Sequence, residues 1–204
     1  MFGEITLLQI LIIIGVLLVS MSVHEAMHAF VGLKLGDDTA AEEGRISLNP
    51  LKHIDPFMTV LLPAITLILF QAPILAAKPV PFNPDRVKFD EFGAAMIAAA
   101  GPLSNLVLAI LGAVFAKMVM PGGVLEDITM IFIYLNVSLF VFNLIPIPPL
   151  DGSRVLYAFA PEPVQRFMQQ IEPYGLFIIF GLILFGDFGP FIYDLVMSVQ
   201  QLIV

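Results

Sequence analysis

Residues 6–30 read TLLQILIIIGVLLVSMSVHEAMHAF, and 6–22 carry no charge at all. An α-helix needs about 20 apolar residues to cross a bilayer. The stretch is therefore read as a membrane-spanning helix from about residue 5 to about 35, with Gly36 placed to cap it. Yet the run ends in two histidines and a glutamate, His24, Glu25 and His28. Ionisable side chains are costly in lipid, so such a cluster marks a functional site by default.

Composition agrees with a membrane chain. Of 204 residues, 59% are hydrophobic and 13% charged, and the mean hydropathy is +0.96. Soluble domains carry about a quarter charged residues. An all-α polytopic membrane protein forming a single domain over 1–204 is expected. The net charge of −8 argues against nucleic acid, whose phosphates call for Lys and Arg. With no cysteine, a thiolate metal site is excluded. The first residues, MFGE, lack the basic flank of a signal peptide, so the first helix is expected to stay in the mature protein.

Further apolar runs lie at 57–77, 92–117, 128–145 and 174–203. Pro63 and Pro73 interrupt the first, and GDFGP at 186–190 breaks the last into two shorter helices. Polar segments fill 36–56, 78–91 and 146–172. In the first, the alternation Arg45-Ile46-Ser47-Leu48 suggests a short strand or hairpin. A short helix is expected from Ser153. Eight of the nine Lys and Arg residues fall in or beside these polar segments, and only Lys117 lies near 118–127. Positive charge favours the cytoplasmic side, which puts all three segments there and the N-terminus outside. Residues 57–77 must then dip and return as a re-entrant hairpin, with a single crossing as the alternative. Three transmembrane helices plus this hairpin and the broken C-terminal segment are the expected architecture.

HEAMH at 24–28 matches H-E-x-x-H. On a helix, residues four apart share a face, so two imidazoles can hold one zinc ion while the glutamate serves as general base. A catalytic zinc takes three protein ligands. Asp151, at the end of FNLIPIPPLDG, is the leading candidate for the third, and Asp187 in GDFGP is the second. His53, among polar residues in NPLKHIDP, reads as a loop histidine. Topology favours Asp151. With the hairpin, it falls at the cytoplasmic end of the 128–145 helix, level with HEAMH; with a single crossing it would not.

Three motifs together resemble the site-2 protease family of intramembrane zinc metalloproteases: HEAMH at 24–28, AAAGPLSN at 98–105 and NLIPIPPLDG at 143–152. RISLNPLKHIDP and AKPVPFNP look like its compact prokaryotic branch, without PDZ or nucleotide-sensing domains. The resemblance implies His24, His28 and Asp151 as ligands of one Zn2+ and Glu25 as catalytic base. It implies that Asn143 binds substrate or the developing oxyanion, and that Gly101, Pro102 and Asn105 form a structural element packed near the site. The expected partners are the bilayer and a transmembrane segment of a substrate protein, with the active site toward the cytoplasmic side of a prokaryotic cell membrane. One departure stands out: many relatives place a bulky and then a small residue between the histidines, whereas here Ala26 is small and Met27 bulky. The alternatives are a metal transporter using the same histidines and an inactive family member acting as a scaffold.

Overall fold

A computed structural model describes residues 6–55, 61, 80–119 and 122–204. Among these residues the regular structure is all helical. The helices are α1 (Leu7–Lys34), α2 (Thr39–Glu42), α3 (Asp90–Val119), α4 (Val124–Asn143), α5 (Asp151–Phe159), α6 (Glu162–Ile171), α7 (Gly175–Phe185) and α8 (Phe188–Ile203). The hairpin expected at 57–77 lies outside the described residues, Leu61 excepted.

Among the described residues, four helical stretches are long and apolar enough to span a bilayer: Leu7–Lys34, Asp90–Val119, Val124–Asn143 and Glu162–Leu184. Large apolar side chains face outward from them, Leu11 and Leu103 among them, as lipid contact allows. The protein is an integral membrane protein. The last of the four spans starts earlier than expected, because α6, a 3₁₀ turn at Glu172–Tyr174 and α7 follow one another without a break. The expected interruption at GDFGP is present between α7 and α8.

Both ends of α1 are set by local chemistry. Thr6 and Gln9 form a reciprocal capping box at its start. At its end Gly36 adopts φ +103°, and the amides of Gly36 and Asp37 return to the carbonyls of Leu33 (3.2 Å) and Gly32 (3.0 Å). This is a Schellman stop, with glycine where a left-handed residue is required.

Helix α3 packs against α1, α4 and α5. Small buried residues, Ala98, Gly101, Ala109 and Ala113 among them, line the faces it buries and let neighbouring backbones approach. An apolar core of Ala109, Ala113, Ile133, Val137, Val141 and Val196 joins α3, α4 and α8.

The strand expected at 45–48 is not formed. Arg45 is buried instead, and its Nη1 donates to the Lys52 carbonyl at 2.5 Å. His53 Nε2 meets the Ser47 carbonyl at 2.7 Å. Side chains, rather than a strand partner, close this loop, so the alternation of Arg45 to Leu48 reflects one buried cation and not a pleated face. The following polar segment is clasped to the end of α1: Asp37 Oδ2 accepts from the Asn83 amide at 2.8 Å, and Leu35 accepts from the Lys88 amide at 2.9 Å. Burial would raise the Asp37 carboxyl, but the Thr39 hydroxyl and the amides of Asn83 and Thr39 outweigh it and hold the group below its ordinary range.

Helix α5 starts at Asp151, two residues before the expected position. The carboxylate sits in its first turn, where the helix dipole favours negative charge. The loop before it folds back tightly, and a Cβ on Gly152 would collide with the Leu144 backbone. That close approach turns the chain at the end of α4 and brings Asp151 back toward α1.

Candidate metal centre

His24 and His28 lie one turn apart on α1, both buried, with ring centroids 4.6 Å apart and the rings nearly perpendicular at 82°. Their Nε2 atoms are 3.0 Å apart. Asp151 Oδ2 stands 3.2 Å from His24 Nε2 and 3.4 Å from His28 Nε2. The fold thus joins the beginning of the chain to a residue far along it. No other group of three or more His and carboxylate side chains converges this way among the described residues.

The far sides of the imidazoles are engaged. His28 Nδ1 lies 2.7 Å from the Ile97 carbonyl. A carbonyl only accepts, so this nitrogen carries a proton, and Nε2 is the nitrogen turned toward His24 and Asp151. His24 Nδ1 lies 2.6 Å from the accepting Asn105 Oδ1, so it too carries a proton and turns Nε2 toward Asp151. Two imidazole nitrogens and a carboxylate oxygen, each able to serve as a metal ligand, therefore converge on one spot.

The triangle suits zinc. Zinc–nitrogen bonds of about 2.0–2.1 Å at tetrahedral angles put neighbouring ligand atoms about 3.3 Å apart, close to the 3.0, 3.2 and 3.4 Å edges seen here. Two imidazoles and a carboxylate leave a fourth position open, the pattern of a catalytic site rather than a closed structural one.

Helix α3 forms the back wall. A Cβ on Gly101 would lie 2.6 Å from His24 Nε2 and closer still to His28, so the glycine packs directly on the two rings. Asn105 bonds across helices, as its position in AAAGPLSN suggests. In front of the triangle is a cavity of about 370 Å3, lined by Glu25, Asn143 and the three convergent residues, with Phe82, Leu139 and Ile179 among its apolar walls. Glu25 is buried at its edge. The amide of Asn143 donates to the Leu139 carbonyl at 2.9 Å within its own helix.

Two sequence candidates are elsewhere. Asp187 is exposed at the start of α8. His53 is buried in its own loop against Ser47. Two residues that the sequence reading passed over, Ser20 and Asn136, lie fully buried behind Asn105. Their signal was available: Asn136 is a carboxamide inside the apolar run IFIYLNVSLF, where polar groups need partners.

The model of peptidase family M50 matches residues 117–186, a range that contains Asp151. YwhC of Bacillus subtilis, a candidate zinc metalloprotease by name, is 38% identical over 185 residues, covering 86% of this chain and 81% of that protein. Rip2 of Mycolicibacterium smegmatis, named in the same way, is 29% identical over 194 residues, covering 92% and 71%. The protease RseP of Photorhabdus luminescens is 38% identical over 65 residues, 28% of this chain and 29% of that one. No solved structure gives a significant match. Sequence motifs, the convergent donors of α1 and α5, and these relatives lead to one assignment: the chain belongs to peptidase family M50, the site-2 protease family of zinc metalloproteases.

Proposed function

We propose that this protein is an intramembrane zinc metalloprotease that hydrolyses peptide bonds within or near the transmembrane segments of other proteins. The observation that carries the reading is the convergence of His24 Nε2, His28 Nε2 and Asp151 Oδ2, with a buried glutamate next in sequence to His24, at one wall of an apolar cavity. His24, His28 and Asp151 would hold a single ion. Zinc bound there would supply Lewis acidity toward a water molecule and the scissile carbonyl.

The chain's own groups do the remaining work. Glu25 takes a proton from the attacking water as its oxygen bonds to the carbonyl carbon. As the C–N bond breaks, Glu25 returns that proton to the leaving nitrogen, which departs as a neutral amine. Asn143 lines the cavity and uses one of its two amide N–H groups on Leu139; the other would donate to the carbonyl oxygen as negative charge develops. The apolar walls suit a hydrophobic peptide, and helical amides must unwind locally before their carbonyls are reachable. The distribution of Lys and Arg supports a site toward the cytoplasmic side.

Glu25→Gln tests the mechanism. The variant should bind zinc like the parent and lose cleavage of a model transmembrane substrate by at least about 100-fold, within the range for general-base catalysis. Retained cleavage would remove Glu25 from the chemistry. Absence of zinc from the purified parent, with full activity, would remove the metal.

A further inference from the structure

We infer that Asn136 is a positioning residue: it fixes the proton of His24 on Nδ1 by orienting Asn105. The inference rests on the metal-site reading given above and deepens it. The chain of contacts crosses α4, α3 and α1, and its three members beyond the histidine, Asn136, Asn105 and Ser20, are each fully buried.

A carboxamide has one accepting oxygen and one donating nitrogen with two N–H groups, and its partners decide which way it faces. Asn136 Nδ2 donates to the Phe132 carbonyl at 2.9 Å and to Ser20 Oγ at 2.9 Å. Both N–H groups are then used, and the Phe132 carbonyl cannot donate in return, so the amide cannot turn over without loss. Its oxygen is left facing Asn105 Nδ2 at 3.0 Å. The second N–H of Asn105 points to the Ser20 carbonyl at 3.4 Å. Asn105 is thereby held with its oxygen toward His24 Nδ1 at 2.6 Å, and only a protonated Nδ1 can meet it.

The alternative shows what the relay prevents. With the Asn136 oxygen gone, Asn105 can rotate and offer its NH₂ to His24. That arrangement selects the tautomer with the proton on Nε2, at the position where a cation must find a lone pair. His28 is protected differently, because a backbone carbonyl, that of Ile97, cannot rotate in this way. Partners that orient metal-bound histidines typically change metal affinity by 10–100-fold when removed.

The chain has three histidines, so imidazole nitrogen NMR of the metal-free, ¹⁵N-histidine-labelled protein can resolve them. In the parent, His24 and His28 should both show a protonated Nδ1. Asn136→Leu should leave His28 unchanged, shift His24 toward the Nε2-protonated form, and weaken zinc binding by at least about 10-fold. Asn136→Asp retains an oxygen facing Asn105 and should keep the parental His24 pattern. A folded Asn136→Leu protein with the parental His24 signals and zinc affinity overturns the inference. If that variant does not fold, Asn136→Asp decides: loss of the Nδ1-protonated His24 in a folded protein overturns it, and retention supports it. A parent that shows the expected imidazole pattern but takes up no zinc would sink the metal site while leaving the relay standing.

Discussion

Gly101 is pressed against His24: a methyl group on its Cα would stand 2.6 Å from the imidazole Nε2. A single added carbon on α3 must therefore move the two rings or the helix. Gly101→Ala should lower zinc occupancy at least about tenfold and cut proteolysis in proportion. Alanine is the better helix former by about 1 kcal/mol, so helical content should hold. Zinc analysis beside circular dichroism checks this, and normal zinc in the variant would show that the contact relaxes freely.

The identity of the third ligand is decided by comparing two aspartates. Asp151→Ala should leave two imidazoles alone and abolish stoichiometric zinc. Asp187→Ala, altering an exposed residue at the start of α8, should bind zinc normally. The reverse pattern would move the ligand to the C-terminal segment.

Asp37 gives a pH-dependent prediction. Against burial, its carboxyl is held below the ordinary aspartate range by hydrogen bonds from Thr39 and Asn83. A group with a depressed folded pKa contributes stability above its unfolded value and loses it as pH falls through the folded one. Asp37→Asn should thus cost about 1 kcal/mol near neutral pH. The gap in thermal midpoint between parent and variant should close as pH is lowered below about 4. A gap that does not change with pH would mean that the clasp does not depend on the charge.

Arg45 is 3% exposed and caps the Lys52 carbonyl. Arg45→Met keeps much of the bulk and removes the donors, leaving that carbonyl unpaired at a cost of about 1–3 kcal/mol. Amide exchange at 47–53 should quicken while α3 and α4 remain protected. Unchanged exchange would show that the loop is held by its other contacts.

Much of this arrangement was legible in the sequence because the bilayer leaves little ambiguity. Uncharged runs gave α1, α3 and α4 to within a few residues, since only a helix satisfies its own backbone there. HEAMH stood out because charge in such surroundings is costly. Asp151 was separated from Asp187 by its setting in NLIPIPPLDG and by topology, and the structure brings Asp151 to the histidines. The loop at 45–48 was misread because period-two alternation does not distinguish a pleated face from one arginine turned inward. Asn136 went unnoticed because it carries no charge, and which buried amide meets which is a matter of tertiary contact.

The placement of Gly152 and Asp151 after the tight return from α4 also has a consequence in time. Helix α1 reaches the membrane early in synthesis, carrying two of the three proposed metal donors. The third is made only after α3 and α4, and it meets the others only once the loop folded over Gly152 has closed. Until then, the nascent chain holds an incomplete donor set. In this order of assembly, metal binding, and with it the proposed activity, waits for the completed fold.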